Sequence, residues 1–210
     1  MKRAFLVVDV QNDFLPGGAL EVKEGDKVIP LINELLKLPF ELVVASKDWH
    51  PVNHGSFADT HGKGVGDFIK LRELDQILWP VHCVQDSLGA EFSDRLDQSR
   101  FDKVFHKGTD EGIDSYSAFF DNGHLKATGM GDYLKEEGIT DLYIAGLTTD
   151  FCVKYSVLDA VNLGFRTHVV RDACKAVNLS PDDEEKAVEE MKKAGAQVVA
   201  SEQVIKEFDG

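Results

Sequence analysis

Four ionisable or nucleophilic residues stand at the ends of short apolar runs. Asp9 closes FLVVD, Asp48 closes LVVASKD, Lys107 closes VFHK, and Cys152 follows LYIAGL. A thiol becomes a strong nucleophile once a base takes its proton; a carboxylate can be that base, and a nearby ammonium favours the charged pair. Each residue also has an ordinary role: a free cysteine is commonly a small apolar core residue, Asp9 in VQND suits a turn, and a strand-end lysine is usually solvated. Cys152 differs from Cys83 and Cys174 in its setting. Thr149 or Asp150 would cap a helix after the strand, placing Cys152 in its first turn among N–H groups with no intrahelical partner. Such a position favours thiolate over thiol, and the same donors could stabilise an oxyanion.

A second group lies in KDWHPVNHGSF (47–57) and WPVHC (79–83). Asp48 and His50 flank one residue, so on an extended segment they point to the same side. With His82, and with His54 as a further candidate, they offer a carboxylate and imidazoles with positions left open, a donor set suited to a catalytic divalent metal. A lone D-x-H pair is more often a turn, and the added histidines are what make the set notable. His61, His106, His124 and His168 have no comparable company and are assigned to surface or core.

These residues need elements that bring their strand ends together. Six β-branched runs (AFLVVDV, ELVVASKD, KVFHKG, LYIAGL, THVVRDA, QVVAS) alternate with helical or irregular stretches. Continuous apolar strands predict a parallel sheet covered on both faces, hence a three-layer α/β/α fold with a central, mainly parallel six-stranded sheet. A helix is expected over 180–195, with Ser180 as N-cap, Pro181 at its first position and Gly195 closing it. Another is expected over 150–164, ended by Gly164. The stretch from about 51 to 103 is rich in Gly, His, Asp and Trp with little periodicity, which marks a functional insertion in one domain spanning 1–210. In sheets of this class ligands bind at the carboxyl ends of the strands. With strand order 3-2-1-4-5-6, Asp9 and Cys152 face each other across neighbouring strands, and Lys107 must reach in from further off.

Bulk properties narrow the partners. A formal charge of −14 over 210 residues argues against nucleic acid or an anionic membrane surface. The apolar fraction of 43% is that of a globular protein. MKRAFLVVDVQNDF is too short in apolar residues for a signal peptide or membrane span. Three cysteines with no close pair indicate no disulfide framework and point to a reduced, cytoplasmic setting.

DVQNDFLPGGAL (9–20), KDWHPVNHGSF, ILWPVHCVQ (77–85), FHKG (105–108), YSAFFD (116–121) and GLTTDFCV (146–153) occur in an order that resembles the nicotinamidase/pyrazinamidase branch of the isochorismatase-like cysteine hydrolases. The resemblance runs from the first strand to at least VVRDA (169–173), and the D-x-H…H set separates this branch from metal-free relatives. It implies a catalytic triad of Asp9, Lys107 and Cys152. It implies a metal bound by Asp48, His50 and His82, with His54 a ligand or a neighbour of the ligands; the ion would be Zn²⁺, with Mn²⁺ or Fe²⁺ as alternatives. Leu147–Thr148 would be a cis peptide, aiming the Thr148 N–H at an oxyanion beside that of Cys152. Phe14, Trp79 and Tyr116 would wall a pyridine ring. The implied reaction is hydrolysis of nicotinamide, and of pyrazinamide, to the acid and ammonia through a cysteine thioester in NAD salvage. A small-molecule substrate is the expected partner, and a homo-oligomer is compatible. The segment from His54 to His82 is longer than in compact members. Two other readings are a cysteine amidase for another small amide and a non-enzymatic metal-binding module, which bound metal and the labelling rate of Cys152 would tell apart.

Overall fold

The runs LVVASKD and DLYIAGL form strands in which every residue is buried, as strands covered on both faces must be. The computed structural model describes residues 2–209. In chain order the elements are β1 (Arg3–Val8), α1 (Val28–Leu35), β2 (Leu42–Asp48), α2 (Ala58–His61), β3 (Phe68–Leu71), β4 (Leu74–Ile77) and β5 (Lys103–Lys107). There follow α3 (Met130–Glu136), β6 (Asp141–Leu147), α4 (Lys154–Asn162), β7 (Arg166–Lys175), α5 (Asp183–Ala194), β8 (Gln197–Val199) and α6 (Ser201–Asp209). Six strands make one sheet in the order β5-β2-β1-β6-β7-β8, and every neighbouring pair is parallel. Numbered within the sheet alone, this is the expected 3-2-1-4-5-6 order. Helices cover both faces, giving the three-layer α/β/α arrangement.

The insertion is more regular than its sequence suggests. It holds the short helix α2, the antiparallel hairpin β3–β4 and two 3₁₀ turns, at Leu88–Ala90 and Gln98–Arg100. Four-residue strands give too few alternations to register as a period. Among the described residues, no helix is long and apolar enough to cross a membrane.

Both helix starts differ from expectation. α5 begins at Asp183, not next to Ser180, because the Asp183 carboxylate turns back to accept the Ser180 N–H at 2.7 Å. Asn178 Oδ1 accepts the Glu184 N–H at 3.0 Å and so does the capping work. Gly195, at φ +110°, ends the helix as expected. Before α4, residues Thr149–Val153 form a π-helical turn entered from an extended Thr148, and neither Thr149 nor Asp150 caps it. The buried Asp150 carboxylate instead accepts the N–H groups of Val177 and Asn178 at 3.0 and 2.8 Å, tying the turn to the loop after β7.

Gly146 shows how tightly the central strands meet. It pairs with Val8 at φ +129°, and a Cβ there would lie 2.1 Å from the Val8 carbonyl oxygen. Gly146→Ala should therefore destabilise the fold by about 3 kcal/mol or more, since both the dihedral and the contact are unfavourable. Urea unfolding measures this, and a loss below about 1 kcal/mol would contradict the packing described.

Candidate active site

The register of β1, β2, β5 and β6 brings the four strand-end residues to one edge of the sheet. Val8 pairs with Ser46 on one side and Gly146 on the other, and Asp48 pairs with Lys107. Asp9 follows directly, fully buried, at a φ of +49°, a conformation Asp tolerates better than most residues. Ser46 Oγ donates to Asp9 Oδ1 at 2.6 Å. Lys107 does reach in from the sheet edge. Its side chain is wholly buried, and Nζ donates to Asp48 Oδ1, to the Ser115 carbonyl at 2.9 Å and toward Cys152 Sγ at 3.3 Å. The same ammonium lies 2.9 Å from Asp9 Oδ2. Cys152 Sγ and one oxygen each of Asp9 and Asp48 all lie within 4.8 Å of one another.

Burial sets the protonation of this group. It pushes the Asp9 carboxyl above the usual carboxylate range, with Asp48 adding to the rise and the Lys107 charge and the Ser46 hydroxyl offsetting part of it. Burial also lifts the Cys152 thiol well above its ordinary value; Lys107 opposes this, while Asp9 and Asp48 reinforce it. The cysteine is thus a buried thiol beside two carboxylates, and the helix-end effect expected to favour thiolate does not offset that burial, which leaves its proton for a base to take. Burial works against the Lys107 cation too, but Asp48 and Asp9 hold it charged. For Asp48, Lys107 and His50 overcome the burial effect and keep the carboxyl well below its usual range.

Asp48 also faces the imidazoles. Its Oδ2 lies 3.6 Å from His50 Nε2 and 3.8 Å from His82 Nε2. Each ring spends its other nitrogen on a carbonyl at 2.8 Å, His50 Nδ1 on Gly108 and His82 Nδ1 on Pro80. In the neutral rings, with Nδ1 donating, both Nε2 lone pairs turn toward Asp48 Oδ2, and the three adjacent acceptors, which without a metal can hold a proton on His50 instead, fit a divalent cation. Gly108 makes room for this, since at φ +63° a Cβ would sit 2.4 Å from His50 Cε1. His54 packs behind His50 with ring centroids 4.3 Å apart. Its Nδ1 engages Ser56 and its Nε2 the Ile113 carbonyl, while burial and the His50 charge lower its pKa to about 4. Both of its nitrogens are thus taken within the protein.

A cleft opens onto Cys152, Asp48, His82 and Thr148, walled by Phe14, Trp79 and Tyr116. Trp79 Nε1 and Gln76 Nε2 both point to the Tyr116 hydroxyl, at 3.3 and 3.2 Å. The Leu147–Thr148 peptide is cis. Sequence reasoning missed Phe151, whose ring meets Trp79 edge-on at 5.0 Å, and the buried Asp114; both line the cleft. Phe151 was open to discovery, lying inside GLTTDFC beside Cys152. Asp114 sits in an aperiodic loop with no local signal. The remaining histidines lie apart from this centre: His106 stacks on Trp49, His124 pairs with Asp159, His168 stacks on Tyr143, and His61 bonds to the Gly55 carbonyl. Cys83 and Cys174 are free and buried.

Residues 3–203 match the isochorismatase domain model. The nicotinamidase of Escherichia coli (strain K12) is 48% identical over 197 residues, covering 92% of each chain. Among solved structures, an Acinetobacter baumanii nicotinamidase/pyrazinamidase superposes with a TM-score of 0.93 at 45% identity, covering 97% of this chain and 98% of its own. A Pyrococcus horikoshii pyrazinamidase solved in complex with zinc has a TM-score of 0.77 at 38% identity, covering 95% of this chain and 99% of its own.

Proposed function

The chain belongs to the isochorismatase domain family and is active as a nicotinamidase, and from that premise we propose that Cys152 carries the hydrolysis as nucleophile, with Asp9 as its base. The contact of Lys107 Nζ with Cys152 Sγ, Asp9 and Asp48 at the floor of an aromatic cleft is the observation that carries this reading. Nicotinamide, or pyrazinamide, enters with its ring against Phe14, Trp79 and Tyr116 and its carboxamide over Cys152. The raised pKa of Asp9 makes it a competent acceptor for the thiol proton, and Lys107 stabilises the thiolate as it forms. Sulfur adds to the carboxamide carbon, and the backbone N–H groups of Thr148 and Cys152 donate to the resulting oxyanion. Asp9 then passes the proton to the departing nitrogen, which leaves as ammonia, and a nicotinoyl thioester remains. In the second half Asp9 takes a proton from water, the hydroxide oxygen adds to the thioester carbon, and the sulfur is expelled, recovering its proton from Asp9; the nicotinic acid released ionises to nicotinate.

Asp48, His50 and His82 would hold one divalent ion, Zn²⁺ by the match to a carboxylate and two imidazoles with Mn²⁺ or Fe²⁺ as alternatives, and it would supply a Lewis-acid contact that orients the ring nitrogen. The zinc complex of the Pyrococcus horikoshii relative supports that assignment. His54 acts as packing behind His50 rather than as a ligand. Nicotinate is a precursor of pyridine nucleotides, so the reaction serves NAD salvage, and the reduced thiols suit the cytoplasm.

Cys152→Ala should cut ammonia release from nicotinamide by at least about 10⁴-fold while zinc per chain stays at the wild-type level. Full turnover in that variant would remove Cys152 from the mechanism. The pH profile gives an independent check. Asp9 must be ionised to accept the thiol proton, so kcat/KM falls as pH drops through its pKa, and burial puts that fall above the usual carboxylate range. Asp9→Asn should lose the rate at every pH. An acid limb in the ordinary carboxylate range, or an active Asn variant, would speak against Asp9 as the base.

A further inference from the structure

The sequence motif that carries Asp9 contains a second residue with a role the mechanism leaves unused. β1 pairs with β2 as far as Val8 and Ser46, and the Asp9 N–H still reaches the Ser46 carbonyl at 3.2 Å. There the main chain turns out of the sheet, at the positive φ of Asp9. The turn frees the Asp9 carboxylate to face Cys152, but it withdraws the backbone that would have continued the ladder alongside Asp48. A side chain fills the vacancy. Gln11 is fully buried; its Oε1 accepts the Asp48 N–H at 2.8 Å, and its Nε2 donates to the Asp48 carbonyl at 2.7 Å and to the Ala90 carbonyl at 2.8 Å.

We propose that Gln11 is a positioning residue for Asp48, its carboxamide standing in for a strand peptide group so that β1 can leave the sheet without releasing the end of β2. The two bonds to Asp48 satisfy the N–H and the carbonyl that a continued β1 would have paired. On its other side Asp48 is flanked by β5, where the Trp49 N–H bonds to the Lys107 carbonyl at 2.9 Å. Its backbone is therefore gripped from both sides, and this grip sets the direction of its carboxylate. That direction matters twice, because Oδ1 meets Lys107 while Oδ2 faces His50 and His82. A displacement of about 1 Å in such an arrangement is enough to cost roughly 10²-fold in rate.

The third bond ties the Leu88–Ala90 turn to the same point, and the Gln11 N–H closes on the Asp9 carbonyl at 2.8 Å. Gln11 lies outside the cleft lining and so acts through its neighbours, with its side chain holding Asp48 by two bonds. Its amide orientation is settled by its partners: two carbonyls require the NH₂ on one side, and one N–H requires the oxygen on the other. Glutamate matches glutamine in size yet would aim a carboxylate oxygen at the Asp48 and Ala90 carbonyls. Methionine matches it in length and offers no strong donor or acceptor.

The inference rests on the assignment of Asp48 as a metal ligand, so the test measures wild type, Gln11→Glu and Gln11→Met side by side. Zinc affinity is read by competition with a chromophoric chelator, kcat and KM for nicotinamide at saturating zinc, and folding by circular dichroism. The expected result is folded variants with zinc affinity weakened about 10- to 100-fold and kcat reduced after zinc is restored, with glutamate worse than methionine. A purely structural role would lower the melting temperature and leave zinc affinity of the folded variants unchanged. Wild-type zinc affinity and kcat in either folded variant would overturn the proposal while sparing the ligand assignment. A wild-type chain that binds no zinc would overturn both. If neither variant folds, Gln11 is a general stability element and the proposal falls.

Discussion

A lysine ammonium with no exposure to water sits between two carboxylates and a thiol, and the arrangement of the site follows from that buried charge. An isolated ion in such a place would cost many kcal/mol, and it persists only because paired charges and hydrogen bonds replace its water. Removing either carboxylate leaves it with only the other as counter-charge. The sheet order supplies the partners, since β5, β2, β1 and β6 are consecutive neighbours and each ends in a residue of the cluster or leads into one.

The cation also makes the two carboxylates unlike each other. Asp48 receives Lys107 and two imidazoles and stays ionised well below its usual range, while Asp9, burial-dominated, is raised. Environments that separate two like groups in this way assign their roles. Asp48 becomes a permanent anion with one oxygen for the ammonium and one for the imidazole face. Asp9, with its raised pKa, suits the proposed role of accepting and returning a proton. Close backbone contacts hold this geometry: Gly146 against Val8, and Gly108 against His50.

Much of this was legible in the sequence, for identifiable reasons. Continuous β-branched runs announced parallel strands, and the residues closing them fell at the edge where such sheets bind ligands. The motif order carried the resemblance, and the matching family and relatives bear it out. What escaped was long-range. No local pattern states that a lysine on the edge strand spans β2 to reach Asp9, or that Asp150 holds Val177 and Asn178 instead of capping a helix. The thiol's raised pKa depends on burial beside carboxylates from two other strands, which composition does not encode. Gln11 gave no local signal, because its side chain bonds to residues 37 and 79 positions away.

The central claim is that the Lys107 charge governs the nucleophile. The direct measurement is the rate of Cys152 alkylation against pH, assigned by peptide mass mapping, in the wild-type chain and in Lys107→Met. Loss of the cation removes a nearby charge that favours thiolate, so the midpoint should move upward by at least about one pH unit, equivalent to about 1.4 kcal/mol. A midpoint that stays in place, or moves down, would contradict the account.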